Sequence, residues 1–506
     1  MSQMPKTKTP EPPPSGPQPG RWVLDHGEIR TIVFGLMLAM FLAALNQTIV
    51  ATALPTIGRD FRDFELLPWV VTSYLLTSTV VAPLYGKLSD IYGRRAMMLA
   101  SIGIFIAGSA ACAAAPDMIM LILGRGLQGI GGGGILPLAQ AILADVVAPR
   151  ERGRYQAYMG SVWITAGLGG PVLGGILADH FHWSVVFWIN VPVGLVAAFM
   201  SHKHLKRLPR HDRKHRLDLA GAGLMMAASI PLLLALTWGG TRYPWLSPPI
   251  AALVVAAAVL SFLFAWRLTR APEPFLPLPI LANPVMRMGS LCTSFSQGVV
   301  IGLTIFLPLY FEVVHKFSAS DAGLALIPIV VMSTPGSILA GRGMMSLDRY
   351  KRVPIVCLSL SIAALALLVW KPAMPPLAVA AVLTVVAFGI GTTYPVGTVS
   401  IQNSVSRYQV GAAMGAMNFF RGLAAAFIVA AMGAIVLAGL GVTVERGGSA
   451  AAVTGAANTL GVDLAHVFRG VFALGVLCLV VSLIALIRME ERPLRGRSAD
   501  VPPPVA

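Results

Sequence analysis

The stretch Gly86-Lys-Leu-Ser-Asp-Ile-Tyr-Gly-Arg-Arg95 is a short basic segment between two apolar runs, each long enough to cross a bilayer. Its two glycines predict tight turns at the ends of two membrane helices, since glycine adopts backbone conformations closed to other residues. Asp90 can accept hydrogen bonds from Arg94 at i+4 or from backbone N–H groups at the start of a neighbouring helix. We expect a polar latch made of Gly86, Asp90, Gly93, Arg94 and Arg95. The alternative is that the three bases of the segment only fix the topology.

The composition indicates that the whole chain is built from such membrane helices. Of its 506 residues, 56% are hydrophobic and only 12% are charged, and the mean hydropathy is +0.74. A soluble domain of this size does not carry so much apolar surface, so an all-α polytopic membrane protein is the expected fold class. Runs of about 20 apolar residues predict fourteen spans, at residues 31–54, 66–85, 96–114, 118–142, 157–178, 184–200, 219–238, 249–268, 288–311, 322–341, 353–370, 377–400, 411–438 and 467–487.

The basic residues predict the orientation of these spans. The chain carries 38 Lys and Arg, and with the N-terminus inside most of them fall in tails and loops on the cytoplasmic side. We therefore expect a multi-pass protein of the cell inner (plasma) membrane with both termini in the cytoplasm. The basic segment 203–216 is interpreted as a linker touching anionic lipid headgroups. Nucleic-acid binding is not expected, because no aromatic or β-rich module accompanies the bases. The four cysteines lie in apolar runs, which argues against a disulfide framework or a metal site.

The chain contains an internal repeat. The segment from Gly341 to Arg352 again places a glycine, an acid and a basic cluster between two spans, and Asp348 follows Asp90 by 258 residues. We expect Asp348 and Arg352 to belong to a second latch. Two six-helix bundles with two inserted central helices are predicted, an arrangement typical of alternating-access carriers. The expected organisation is a disordered N-terminal tail at 1–29, a first bundle at 30–200, a basic linker at 201–218, two inserted helices at 219–268, a cytoplasmic linker at 269–287, a second bundle at 288–488 and a C-terminal tail at 489–506.

Four motifs carry a resemblance to a known family. The segment Gly86–Arg95 is similar to the loop between spans 2 and 3 of the major facilitator superfamily. Leu45–Pro55 resembles the span 1 signature of its fourteen-span drug/proton antiporter branch, the EmrB/QacA type. Leu123–Gly133 is similar to the span 4 motif of that branch, and Gly167–Gly175 to its span 5 motif associated with antiport. The likeness covers essentially all of residues 30–490, and it implies the major facilitator fold.

The span 4 and span 5 motifs supply candidate residues for coupling and packing. Arg125 lies at membrane depth, where a charge costs about 2.5–3.5 kcal/mol on insertion scales. The resemblance implies that Arg125 takes part in proton coupling; the alternative is a structural arginine bonded to backbone carbonyls. The span 5 glycines permit close helix contact, and the resemblance links them to export by antiport, although packing without a special function is the alternative. The motif residues are Gly167, Gly170, Pro171, Gly174 and Gly175.

The proton carrier is less evident, because the branch usually has Asp in span 1 where this chain has Asn46, which cannot titrate. The best remaining membrane acid is Glu312 at the outer end of span 9, where burial would favour its neutral form. His315 lies one turn on and is a candidate to share that role. Arg421 in span 13 is a second buried cation and a candidate partner of Glu312. The alternative is that Glu312 is a solvated helix-end residue.

Polar and aromatic residues of the spans are candidates for lining a substrate cavity. They are Asn46, Gln47, Trp163, Gln297, Tyr310, Tyr394, Asn418 and Phe419. An apolar lining with few charges suits amphipathic or lipophilic molecules better than sugars or phosphates. We therefore expect a secondary exporter of drug-like or amphipathic compounds that is driven by proton entry and uses no cofactor or metal.

Two alternatives to this function stay open. One is an exporter of a dedicated metabolite, or an uncoupled facilitator, of the same superfamily, and Asn46 keeps it open. The other is a transport-inactive membrane sensor, which a large extra soluble domain would favour. An enzyme is not expected, because the sequence offers no nucleophile–base pair, metal cluster or phosphate loop. The expected partners of a monomeric carrier are its substrate, protons and the lipid bilayer, with a periplasmic adaptor protein as a further candidate.

Overall fold

The computed structural model describes residues 26–63, 65–207, 218–240, 242–347, 349–439 and 464–494. Within these ranges the chain folds into helices, and fourteen stretches are long and apolar enough to cross a membrane. This confirms the prediction of an all-α membrane protein. The predicted N-terminal tail up to residue 25, residues 208–217 of the basic linker, Asp348 and the C-terminal tail from residue 495 lie outside the described residues.

The fourteen spans are numbered in chain order. They are span 1 His26–Phe61, span 2 Leu67–Tyr92, span 3 Arg94–Ala113, span 4 Met118–Val146, span 5 Pro149–His180, span 6 Val185–Trp188 with Asn190–His204, span 7 Leu219–Trp238, span 8 Pro248–Arg270, span 9 Pro284–Val314, span 10 Ala319–Leu324 with Ile327–Val331 and Ser333–Ser346, span 11 Arg352–Trp370, span 12 Pro376–Ser404, span 13 Val410–Gly439 and span 14 Leu464–Arg488. Short helical turns lie at Leu205–Arg207, Leu278–Ala282 and Arg407–Gln409. Many spans exceed the predicted apolar run, because a helix continues from the hydrocarbon core into the interfacial layers.

The segment from Gly86 to Arg95 differs from the predicted loop. Span 2 continues to Tyr92 and span 3 begins at Arg94, so the turn consists of Gly93 alone, with a φ of 91°. The expectation of a turn at Gly86 is wrong, because this residue lies inside span 2. Positive φ is open to glycine at little cost, which explains how one residue separates two helices.

The spans form two groups, spans 1–6 and spans 9–14, which we call the first and second halves. Spans 7 and 8 pack on each other, and span 7 touches span 2 through an edge-to-face contact of Trp69 and Trp238 with ring centroids 5.5 Å apart. Asp218 caps the first turn of span 7 and pairs with Arg267 of span 8 at 3.1 Å. This ion pair holds the inserted helices together at one end.

The two halves meet through a limited set of helices. Span 13 packs against spans 2 and 4, and span 5 packs against spans 10 and 12. Spans 1 and 9 pack against helices of their own halves. The end of the bundle at which span 2 ends and spans 3, 5 and 13 begin carries many bases, and we call it the basic end. Spans 14 and 12 also end there.

Candidate functional site

At the basic end, Asp90 links the two halves. Its carboxylate accepts hydrogen bonds from the backbone N–H groups of Gly411 at 3.0 Å and Ala412 at 2.8 Å, in the first turn of span 13. It also accepts from Arg94 at 2.6 Å, and Arg94 donates from Nε to Asp145 of span 4 at 2.8 Å. The first N–H groups of a helix lack partners within the helix and carry partial positive charge, so a carboxylate is favoured there. The predicted latch residues therefore lie at a contact between the halves, and their role in gating stays a prediction.

Two pairs of glycines allow the helices of opposite halves to approach at this end. A β-carbon on Gly86 would overlap the carbonyl group of Gly411, and one on Gly341 would lie 2.6 Å from the carbonyl oxygen of Gly153. The first pair joins spans 2 and 13, and we call this contact the first seam. The second pair joins spans 10 and 5, and we call this contact the second seam. The repeat makes these two seams equivalent, because span 10 corresponds to span 2 and span 13 to span 5.

The last residues of the second copy of the basic segment contact their own half. The Lys351 ammonium donates to the carbonyl oxygens of Ile487 at 3.0 Å and Met489 at 2.5 Å, at the end of span 14. Burial lowers the pKa of Lys351. Arg352 begins span 11, and Asp348 lies outside the described residues. Among the described residues, these contacts of the second segment do not reproduce the link to the other half that Asp90 makes.

Arg125 is enclosed in the first half. It is 1% exposed, donates from Nε to the carbonyl oxygen of Val70 at 2.8 Å, and donates to the Gln128 amide at 2.5 Å. Its guanidinium carbon lies 4.3 Å from the centroid of the Tyr74 ring. Gln128 in turn donates to Asn46 at 3.0 Å. The contact with a backbone carbonyl is the one that the structural interpretation of Arg125 expects, and a role in proton coupling stays a prediction.

The span 5 motif packs against span 1. A β-carbon on Gly170 or Gly174 would overlap the hydroxyl group of Thr48 or Thr52, respectively. Thr48 also donates to the carbonyl oxygen of Ala166 at 2.8 Å. The remaining motif residues have other surroundings: Gly167 faces Val330 of span 10, Pro171 is exposed, and Gly175 has open space beside it.

A polar cluster joins the halves above the first seam. Gln140 of span 4 donates to the hydroxyl of Tyr394 in span 12 and accepts at 2.7 Å from the amide of Asn418 in span 13. Gln402 donates to the carbonyl oxygen of Gln140 at 3.0 Å. Arg421 lies almost one turn after Asn418, and its guanidinium carbon is 5.3 Å from the centroid of the Tyr394 ring. The structure thus brings together three predicted site residues and adds two amides from the sequence.

The other predicted cavity residues have varied surroundings. Gln47 is exposed, Trp163 is 41% exposed, Gln297 is half-buried and Phe419 is buried beside Asn418. Tyr310 is fully buried and donates to the carbonyl oxygen of Pro372 at 2.5 Å. That bond makes Tyr310 part of the packing at the end of span 9, and a role in lining a substrate cavity stays a prediction for these residues.

Glu312 and His315 lie near each other at the end of span 9. Glu312 is half-buried and makes no hydrogen bond or ion pair with the described part of the chain. The His315 Nε2 lies 3.2 Å from the Tyr310 hydroxyl, and burial lowers the pKa of His315, which favours its neutral form. The role of both residues in coupling stays a prediction.

The predicted pairing of Glu312 with Arg421 is wrong. Spans 9 and 13 run in the same direction and are aligned where Gly302 contacts Met432. With a rise of 1.5 Å per residue, the two charged residues are roughly 30 Å apart along the helices. Arg421 therefore lies towards the basic end, whereas Glu312 lies at the opposite end.

Gln140 and Asp145 are functional candidates that the sequence-based predictions do not contain. Gln140 is a lone amide inside an apolar part of span 4, and polar residues within membrane spans are often functional. The rule that polar residues within spans are often functional would have selected Gln140 from the sequence. Asp145 lies one residue before the end of its helix, where an acid is commonly solvated, and only the tertiary contact with Arg94 distinguishes it.

The family follows from a comparison of sequences. The profile of the Major Facilitator Superfamily matches residues 36–429 of this chain. The protein belongs to this superfamily. Its fourteen candidate spans fit the fourteen-span branch of the superfamily. The family and the fold expected from the four motifs are therefore confirmed.

Curated members of the superfamily resemble the chain over most of its length. An uncharacterized MFS-type transporter of Mycobacterium tuberculosis strain H37Rv is 36% identical over 412 residues, which cover 80% of this chain and 59% of that protein. The chain thus spans about three fifths of the mycobacterial relative. Multidrug transporter protein MdtP of Bacillus subtilis strain 168 is 32% identical over 404 residues, which cover 80% of this chain and 74% of MdtP.

Solved structures of major facilitator proteins share the fold. The crystal structure of a double-tryptophan variant of the transporter XylE aligns with a TM-score of 0.63 and 14% sequence identity, covering 94% of this chain and 98% of that one. At this identity the likeness concerns the fold alone.

Proposed function

We propose that the protein is a secondary active transporter that exports drug-like or amphipathic small molecules by proton antiport with alternating access. The observation that carries this proposal is the distribution of contacts between the halves. Two seams close the basic end, while spans 1 and 9 pack within their own halves. A carrier closed at one end only is one of the two states that alternating access requires. The names of relatives, such as the multidrug transporter of Bacillus subtilis, support export of drug-like compounds.

In this proposal the basic end faces the cytoplasm of the cell inner membrane. The excess of bases at that end supports this orientation, because cytoplasmic loops are enriched in Lys and Arg. The described state is then open towards the outside. Release of Asp90 from the first turn of span 13 would uncap that helix and allow the basic end to open. Substrate would enter from the cytoplasm in that second state.

Proton coupling would use the acid at the end of span 9. Glu312 has no described partner, and a proton arriving from outside would reach it first at the opposite end of span 9. Arg125 would respond to charge changes through the network that includes Gln128 and Asn46. Because Asn46 is neutral and hydrogen-bonded in the span 1 position, an uncoupled facilitator or a dedicated metabolite exporter is the second candidate function.

Transport into proteoliposomes with and without an imposed pH gradient tests the proposal. The substrates are a panel of fluorescent amphipathic compounds, some cationic and some anionic. We expect at least one compound to move only when the gradient is present. Failure of every compound to show gradient-dependent movement would overturn proton antiport, and movement without a gradient would favour the facilitator.

A variant identifies the proton carrier. Glu312→Gln should reduce gradient-driven transport at least ten-fold, because the amide cannot accept a proton, while exchange of substrate without a gradient continues. Glu490→Gln is the matched control, since Glu490 is an exposed acid beyond the end of span 14. If Glu312→Gln transports like the parent, Glu312 is not the carrier.

A further inference from the structure

The charges inside the spans are all of one sign. In the fourteen spans, each Asp or Glu lies among the first or last three residues. Two arginines lie much deeper, Arg125 as the eighth residue of span 4 and Arg421 as the twelfth residue of span 13. The interior of the described bundle therefore holds two guanidinium groups and no carboxylate at comparable depth. Charges at this depth are costly and face a partner or a water-filled space.

The two arginines differ in whether their donors are used. Arg125 is enclosed by Val70, Gln128 and Tyr74 within the first half, as described above. Arg421 is half-buried, and apart from the Tyr394 ring it makes no hydrogen bond or ion pair with the described residues. A guanidinium group has five N–H donors in a planar fork that fits a carboxylate. The donors of Arg421 are therefore available to an acceptor that is not part of the described chain.

Arg421 lies where both halves meet. Its neighbour Gly422 packs against Thr79 of span 2, the last of the glycine contacts along the first seam. The Tyr394 ring beneath its guanidinium group is bonded through its hydroxyl to Gln140 of the first half. With a rise of 1.5 Å per residue, Arg421 is about 16 Å from the start of span 13. It lies beside the last of these glycine contacts.

A buried acceptor completes the site. Asn418 is 8% exposed and uses its amide N–H groups on Gln140 and on the carbonyl oxygen of Met414. Its Oδ1 atom has no hydrogen-bond partner. A buried polar atom without a partner is unfavourable, so an N–H or O–H donor is expected there when the site is filled. Asn418 and Arg421 are three residues apart and lie on one face of span 13.

We propose that Gln140, Tyr394, Asn418 and Arg421 form a binding site for an amphipathic organic anion. The acid group, a carboxylate, pairs with Arg421, and an N–H or O–H donor beside it bonds to Asn418 Oδ1. The apolar body of the ligand packs against the Tyr394 ring. The inference rests on the proposed function for the direction of transport, but the binding site itself does not depend on it. An amphipathic cation is disfavoured, because it would approach two deep arginines with no carboxylate at the same depth.

A pair of probes that differ only in charge tests the site. Dansyl-leucine has a carboxylate beside a sulfonamide N–H, and its methyl ester keeps the N–H and loses the charge. Binding is measured by dansyl fluorescence with the full chain in lipid nanodiscs. We expect the acid to bind at least ten-fold more tightly than the ester. Equal affinity for the two probes would overturn the proposal.

Variants show which residue is responsible for the preference for the acid over the ester. Arg421→Gln should weaken binding of the acid ten-fold or more and leave the ester unchanged, whereas Arg421→Lys should keep part of the preference. Arg469→Gln is the matched control, because Arg469 belongs to the same half and lies near the first residues of span 14. An acid-to-ester ratio that survives Arg421→Gln in a folded protein would overturn the assignment.

A second variant covers the case in which Arg421→Gln does not fold. The parent should prefer dansyl-leucine to its N-methylated form, which lacks the N–H donor. Asn418→Leu removes the acceptor, so this preference should disappear in the variant. A retained preference contradicts the role of Asn418. Binding and transport are separate readouts. Selective binding of the acid without gradient-driven transport refutes the proposed function alone, whereas transport limited to cations refutes the anion site alone.

Discussion

The first and second seams use the same backbone contact and different side chains. In both, glycines bring a helix of one half against a helix of the other, Gly86 with Gly411 and Gly341 with Gly153. In the first seam a carboxylate caps the opposing helix and is bound by a buried arginine. In the second seam, Arg150 donates from Nε to the carbonyl oxygen of Met345 at 3.0 Å. Close packing is therefore common to the two seams, whereas in the part of the chain that the structure describes the charged lock, a carboxylate paired with a buried arginine, is seen in the first seam.

This difference indicates that the two repeated segments have different roles. The first segment, at the end of span 2, reaches the other half and can respond to movement between the halves. The second segment holds the end of span 14 through Lys351, and Tyr350 donates to the carbonyl oxygen of Arg492 at 3.1 Å. A contact within one half does not change when the halves move as rigid bodies. We infer that Tyr350 and Lys351 stabilise their own half and do not gate.

The largest effect is expected for Asp90→Ala. The pair of Asp90 with Arg94 lies within one half, so only the hydrogen bonds of Asp90 to the first turn of span 13 are specific to the closed state. Hydrogen bonds to a charged group are worth about 1.5–3 kcal/mol, so the population should shift towards opening at that end by about 10- to 100-fold. The shift is measured as the distance between two spin labels by double electron–electron resonance. The labels are attached at Tyr92 and Arg349, which are exposed residues of opposite halves.

The control for Asp90→Ala is Glu490→Ala, which removes the same charge from an exposed residue at the basic end. Its distances should match those of the parent, because exposed ion pairs contribute little. If Asp90→Ala also leaves the distances unchanged, the first seam has no charged lock and the contrast between the seams is lost.

A smaller effect, on the transport rate, is expected for substitutions of Gly86 and Gly341, and its size should differ between the two. At Gly86 an added β-carbon overlaps the Gly411 carbonyl, whereas at Gly341 it lies 2.6 Å from the Gly153 oxygen, so the first seam must move further apart. Gly86→Ala should lower the initial transport rate about ten-fold and Gly341→Ala a few-fold, since close helix contact requires small residues. Gly103→Ala, with open space beside it, is the control and should transport like the parent. The reverse order of the two rates would contradict the comparison.

The smallest effect on gating is expected for Lys351→Met. The variant loses hydrogen bonds from a charged donor to two carbonyl groups, an interaction of about 1.5–3 kcal/mol. The melting temperature should fall by roughly 1–3 °C, and the label distances across the seams should stay as in the parent. Scanning fluorimetry and the same distance measurement check both parts. Opening comparable to that of Asp90→Ala would show that the second segment also acts as a latch.

The fold could be predicted because membrane helices are encoded locally. Each apolar run must satisfy its backbone hydrogen bonds internally, so its length and composition suffice to place a helix. The repeat could be found from the recurrence of a glycine, an acid and bases near Asp90 and Asp348. Helix ends were less predictable, as the continuation of span 2 through Gly86 shows, because polar residues also continue helices in the interfacial layers.

The site could be predicted in part. Asp90, Tyr394, Asn418 and Arg421 are recognisable as polar or aromatic residues in or beside apolar runs, and the structure places them at contacts between the halves. Their partners could not be predicted, because the sequence of one span does not say which of its residues lie at the same depth as those of a span far away in the chain. The pairing of Glu312 with Arg421 was wrong for this reason. Spans 9 and 13 run in the same direction, and only their packing decides which residues of the two helices lie side by side.

The sequence by itself determined the fourteen spans, their repeat and the family, since hydrophobic length and short motifs are properties of contiguous residues. The tertiary structure alone decided what the segment Gly86–Arg95 does with its charges. It placed Asp90 on the first turn of span 13 and Lys351 on the end of span 14 within its own half. The physical reason is that capping and pairing act over about 3 Å, so they depend on which helix ends the packing of the two halves brings together.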